Sequence, residues 1–266
     1  MNDQRDTSGH SSFISIMIPR IIFAFIIFAG CSKNSHRDLL INNISTEQSE
    51  YDGYLVNRDD GLHRIEGYHI SDSSLGIILV HGRYPDNWPS KGLEWSLAIK
   101  DIADRERPIW WFKHNWNDCP EYSSNILQSS IEKLLKEYPH MDSLWIAGHS
   151  LGGIIVSDLA ENWDKQFPLS IHAIAAGLND ERPQLYDCKI QGKNIYNISE
   201  SVRYIQWRTV HENDGAFKNL KEDPQDVIIN NGNYVLLPKI WKKERLGHNL
   251  SIQLVVKQLK NQMNPS

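Results

Sequence analysis

The chain has 266 residues, 40% of them hydrophobic and 23% charged, with nine tryptophans. That composition supplies a core for one globular domain and excludes an intrinsically disordered polymer. A formal net charge of -5, with Lys and Arg scattered along the chain, gives no basic footprint and excludes nucleic acid as an expected partner.

From Phe13 to Gly30 the chain is almost wholly apolar, but Pro19 and Arg20 interrupt the run. What remains, Ile21 to Ala29, is shorter than the roughly 20 residues a spanning helix needs. A positive residue, a short apolar stretch and then small residues describe a secretory signal instead. Asp3 and Asp6 suit such a signal badly, and a start at Met17 would give it a compact form, Met-Ile-Pro-Arg followed by the apolar run. The small residues end in Phe28-Ala29-Gly30-Cys31, which resembles the lipobox of bacterial lipoproteins. The resemblance implies that residues 1–30 are a signal peptide, that Cys31 is lipidated, and that the protein is anchored to a membrane of the bacterial cell envelope. A plain secretory signal and an uncleaved anchor are the alternatives. Residues 31–49, polar and without apolar periodicity after Cys31, are expected to form a flexible tether, leaving 50–266 as the folded domain. Cys119 and Cys188 then remain as an even pair in a compartment that permits disulfides; they are either bridged or two separate buried thiols.

Within the domain, β-prone runs on either side of Asp59-Asp60-Gly61 predict an opening antiparallel hairpin between Tyr51 and Ile70. Continuous apolar runs at Gly76–Val80, Ile109–Phe112 and Leu144–Ala147 have the character of buried strands, and later strands are expected at Ile171–Ala175 and Tyr204–Val210. Helical periodicity appears near Leu93–Ile102, Ser123–Tyr138, Leu151–Trp163 and Leu250–Gln262. Strands alternating with helices predict an α/β fold, a mostly parallel central sheet covered by helices on both faces. The irregular stretch from Asn179 to Ser201 is the expected place for a small cap or lid.

The decisive motif is Gly148-His149-Ser150-Leu151-Gly152-Gly153, set between an expected strand and an expected helix. A serine on that bend is held up on a tight turn, and the helix behind it directs unpaired N–H groups at the same point. From Gly76 to Leu250 the chain resembles the α/β-hydrolase superfamily, and the resemblance implies a Ser-Asp-His chain order. Ser150 is the expected nucleophile. His248, in Gly247-His248-Asn249-Leu250 just before the last helix, is the expected base. Asp214, in the loop after Tyr204–Val210, is the expected acid, with Glu212 and Asp180 as competitors. His211 departs from the glycine usual at its position and places the loop's geometry in question. His81-Gly82-Arg83 resembles the family's oxyanion loop, which assigns the two donors to the backbone N–H groups of Leu151 and Arg83, with Tyr84 the fallback for the second. His149 reads as a packing residue of the elbow. Trp88 and Trp95 are placed to line an acyl pocket or simply to pack.

No metal-ligand spacing and no phosphate or dinucleotide signature is present, so no cofactor and no metal are expected. The expected function is cleavage of a carboxylic ester or related acyl bond in a small-molecule or lipid substrate. Amidases, peptidases and thioesterases share the fold, and a binding or scaffold lipoprotein that kept the fold without turnover would show a broken triad.

Overall fold

The most apolar runs of the chain become the middle of a sheet. In chain order the strands are β1 Leu39–Leu40, β2 Gly61–Glu66, β3 Leu75–Val80, β4 Ile109–Lys113, β5 Ser143–His149, β6 Leu169–Ile174, β7 Ile195–Asn197, β8 Val202–Arg208, β9 Ile228–Asn230, β10 Asn233–Leu236, β11 Ile240–Trp241 and β12 Glu244–Arg245. The helices are α1 Gly53–Val56, α2 Trp95–Ala103, α3 Pro120–Glu137, α4 Leu151–Asn162 and α5 Leu250–Met263. This computed structural model describes residues 39–46, 53–84, 95–180, 187–190 and 192–263; residues 1–38, with Cys31 and the expected signal, and Trp88 lie outside them.

Eight strands form one sheet in the order β1-β2-β4-β3-β5-β6-β8-β10. All its pairings are parallel except that of β2 with β4. The chain therefore has the α/β-hydrolase fold, with β5 near the centre. Side chains alternate along each strand and so supply two cores. Ile78, Val80, Trp110, Phe112 and Ile146 pack with α3 and α4 on one face, while Ile77, Leu79, Ile109 and Trp111 pack with α2 and α5 on the other. β4 is buried along its whole length, which is why Ile109–Phe112 reads as a continuous apolar run; β6 is equally buried but carries two polar side chains, Ser170 and His172, inside it.

Two expectations need correction. The opening hairpin does not form: Gly53–Val56 is one helical turn that buries Leu55 and Val56, and β2 finds its antiparallel partner in β4. The domain also begins before residue 50, because Leu39, Ile41 and Ile44, read as tether, are buried and β1 pairs in parallel with β2. Of the two roles open to Trp95, packing is the one it takes: it is fully buried on α2, with its ring edge-on to Trp111 at 5.7 Å. Of the expected cap, Cys188 is disulfide-bonded to Cys119 across a Cα separation of 5.4 Å, and β7 pairs with β9.

Candidate active site

β5 ends at His149 and α4 starts at Leu151, so the chain reverses through one residue, Ser150, at φ 54° and ψ -118°. A positive φ is strained for an L side chain and persists only where neighbours enforce it. Here the Ser150 N–H donates to the Ile174 carbonyl at 2.9 Å, and its own carbonyl accepts from the Ile154 N–H at 3.2 Å. Two glycines make the turn this tight: a Cβ on Gly148 would lie 2.3 Å from the Gly152 oxygen, and one on Gly152 would lie 2.4 Å from the His81 oxygen. Ser150 is left partly exposed above a buried strand.

The general-base candidate is brought to this turn. The buried His248 ring bonds through Nδ1 to Asp214 Oδ2 at 3.0 Å, and the His248 carbonyl accepts from Nε2 of His149 at 3.0 Å. The two imidazoles stand 4.6 Å apart, and Phe217 closes on His248 edge-to-face at 5.0 Å. Asp214 is completely buried and accepts two further bonds, from Thr209 Oγ1 at 2.5 Å and from the Ala216 N–H at 2.8 Å. Burial alone would push its carboxyl up; the His248 charge and the bonds from His248, Thr209 and Ala216 outweigh that and hold it below the usual carboxylate value. The Ser150 hydroxyl has no hydrogen-bond partner among the described residues, so the Asp–His half of the constellation is closed and the Ser–His half is open. Catalytic contacts of that kind commonly tighten only once substrate is bound.

The competitors for the acid separate cleanly. Glu212 is exposed, and Asp180, although buried, is not the partner of His248. His211 does no harm to the loop: its Nε2–H donates to the Phe217 carbonyl at 2.8 Å, and its own carbonyl accepts from the Asp214 N–H at 3.1 Å, closing the 3-10 turn His211–Asn213.

The loop after β3 lies against the same turn, since a Cβ on Gly82 would sit 3.0 Å from Ser150 Cβ. His81 Nδ1 bonds the Gly82 carbonyl at 2.6 Å, and because a carbonyl only accepts, Nδ1 must carry the proton. In a trans peptide the following N–H, that of Arg83, points the other way from that carbonyl. The Arg83 side chain is exposed, and Leu151 opens α4, where the first N–H groups have no intrahelical acceptor.

His114, at the end of β4, is a partner that sequence reading did not single out. Its N–H donates to His81 Nε2 at 3.2 Å, its Nε2–H donates to the His81 carbonyl at 2.8 Å, and the two rings stack at 4.0 Å. Burial, aided by the Lys113 charge, lowers its pKa to about 4, and His81 falls well below the usual histidine value for the same first reason. Thr209 is the second residue missed. A signal for His114 was present: His81, His114 and His149 all stand at the C-terminal ends of parallel strands, where open α/β sheets place their sites. Thr209 left none, being an ordinary residue at a strand end.

Among the described residues the one grouping of metal-donor atoms is Cys119, Glu121 and Cys188, whose two sulfurs are bonded to each other.

No family model matches the sequence, and no curated protein does. Solved structures do resemble the fold. An esterase from Pyrococcus furiosus shares 12% identity over 72% of this chain and 81% of its own, with a TM-score of 0.43. A poly(3-hydroxybutyrate) depolymerase from Bordetella parapertussis shares 12% over 76% and 82%, at 0.47. A protein from Listeria innocua shares 14% over 72% and 94%, at 0.49. Strand order and site geometry, rather than these distant likenesses, carry the reading of the site.

Proposed function

We propose that the protein is a serine hydrolase that cleaves a carboxylic ester or related acyl bond while lipid-anchored in the bacterial cell envelope. The observation that carries this is one imidazole, His248, bonded to a buried carboxylate on its Nδ1 side and fixed by its own backbone to the residue before Ser150. His248 Nε2 takes the Ser150 proton as the hydroxyl attacks the substrate carbonyl, and Asp214 stabilises the imidazolium that results. The N–H groups of Leu151 and Arg83 receive the charge that develops on the former carbonyl oxygen, an interaction worth several kcal/mol in related chemistry. The leaving alcohol departs with the proton from His248, and water then repeats the sequence to release the acid.

The Cys119–Cys188 disulfide supports an oxidising compartment, which agrees with export and with acylation of Cys31. Labelling with a fluorophosphonate probe tests the enzymatic reading. Wild type and Asp180→Asn are expected to label, while Ser150→Ala does not and His248→Ala labels at least about 100-fold more slowly. An unlabelled wild type, or a labelled Ser150→Ala, overturns the assignment. For the anchor, Cys31→Ser is expected to move the protein out of the detergent phase, and mass spectrometry is expected to place acyl chains on an N-terminal Cys31.

A further inference from the structure

His149 stands where all three parts of the candidate site meet. It precedes the nucleophile, its ring lies beside His248, and a Cβ on Gly82 would lie 3.4 Å from its Nδ1. It is completely buried. Its Nε2 faces the His248 carbonyl at 3.0 Å and must therefore be protonated, while its Nδ1 is left with no hydrogen-bond partner among the described residues. A stranded buried acceptor is unfavourable, and a phenyl ring would fill the same slot without one. What the imidazole supplies beyond a phenyl ring is a single N–H, aimed at the backbone of the candidate base.

We propose that His149 is a positioning residue, whose Nε2–H fixes the backbone of His248 relative to Ser150 and so sets the reach of the base to the nucleophile. The proposal rests on the serine-hydrolase reading. The other supports of His248 come from its own side of the cleft. Its ring is held by Asp214, its carbonyl also accepts from Ser251 Oγ, and Gly247 packs on the Asp214 loop, where a Cβ would lie 2.8 Å from the Asn213 oxygen. Those contacts join the histidine loop to the acid loop. The bond from His149 spans 99 positions in sequence and ties that unit directly to the elbow. The ionisable groups facing His149 are His248 and Asp214; burial first, and the His248 charge second, hold its pKa well below the usual histidine value. A neutral ring is what the site needs. When His248 takes the serine proton, an imidazolium 4.6 Å away would oppose it.

Two substitutions separate a positioning role from packing. His149→Phe keeps the ring and removes the N–H, whereas a glutamine amide nitrogen reaches about as far as histidine Nε2, so His149→Gln keeps a donor. The fluorophosphonate labelling rate of His149→Phe is expected to fall about 10- to 100-fold with its melting temperature no lower than wild type, and His149→Gln is expected to recover at least part of the rate. With a p-nitrophenyl ester the loss is expected in kcat and not in KM. Labelling of His149→Phe within twofold of wild type, or a loss that Gln does not relieve, overturns the positioning role while leaving the enzyme assignment intact. An unlabelled wild type overturns the enzyme assignment, and the positioning role with it.

Discussion

A carboxylate as deeply buried as Asp214 persists in its charged form only if donors replace the water it has lost. It has three: the imidazole of His248, the Ala216 N–H and the hydroxyl of Thr209. Of these, Thr209 is the one removable without touching the backbone or the base. Behind it, Gln225 is also fully buried and closes the loop, accepting from the Thr209 N–H at 3.0 Å and donating to the Thr209 carbonyl at 3.1 Å. Thr209→Val keeps shape and volume but withdraws the O–H, and a hydrogen bond to a charged group is worth about 1.5–3 kcal/mol. We expect Thr209→Val to lose stability on that scale at pH 7 in urea unfolding and to label roughly tenfold more slowly, while Thr209→Ser stays close to wild type. If Val and Ser behave alike, the hydroxyl is not what supports the acid. Ser150, Asp214 and His248 could be proposed from sequence because each sits at a junction that local pattern marks: a strand-to-helix bend, a loop after a strand and a loop before a helix. His114 acts through bonds to His81 that exist only once two strand ends are brought together, so its place at a strand end is its one mark in the sequence; Thr209 reaches Asp214 only five positions on, but an ordinary threonine at a strand end carries no mark at all. The ring of His149 is buried as a packing residue of the elbow should be, yet its contact with the His248 backbone depends on two segments meeting that the sequence keeps far apart.

At the scale of elements, the long buried strands and the amphipathic helices were readable within a few residues, because continuous burial and a 3.6-residue period both leave a trace in the sequence. What escaped was short or at an edge. β10, with Tyr234 and Leu236 exposed, shows no apolar alternation, and β1 is two residues long. The segment 39–46 was misread because its polar neighbours dominate the composition, although Leu39 and Ile44 are almost wholly buried and Ile41 nearly so. Burying an aliphatic side chain contributes about 1.5–3 kcal/mol, so three of them contribute roughly 4.5–9 kcal/mol, a large part of the stability of a typical domain. A chain starting at residue 50 is therefore expected to be much less stable than one starting at residue 36, with a lower urea midpoint or no cooperative transition. Equal midpoints for the two truncations would return residues 39–46 to the tether.

Across the whole molecule, the histidines set the response to acid. His81, His114, His149 and His172 are all buried, and burial is the first cause holding each below its ordinary value, His114 to about 4 and His172 to about 3. The hydrogen bonds of two of them require the neutral ring: His81 accepts the His114 N–H on Nε2, and His172 accepts the Trp207 Nε1–H on Nδ1 at 3.3 Å. Above pH 6.5 the folded and unfolded chains both carry these rings uncharged, and the stability they permit is fully present. As pH falls below 6.5 the unfolded chain takes up protons that the folded chain refuses, so stability drops by about 1.4 kcal/mol per pH unit for each ring until its folded pKa is reached. His114 and His172, held at about 4 and about 3, together remove about 4 kcal/mol by pH 5, and His81 and His149 act in the same direction, so the loss is a large part of the stability of many domains. Asp214 is not the trigger. Its folded pKa is lowered, so its contribution is present above the ordinary carboxylate value and is lost only at lower pH. Acid unfolding followed by circular dichroism is therefore expected between about pH 6 and pH 4.5, and the dependence of unfolding free energy on pH should steepen below 6.5 to about two protons or more near pH 5.5, two being the share of His114 and His172 alone. A slope of one proton or less, or a chain that stays folded to pH 4, would mean that the rings are hydrated enough to ionise in place, and the closed imidazole stack around the candidate site would have to be abandoned.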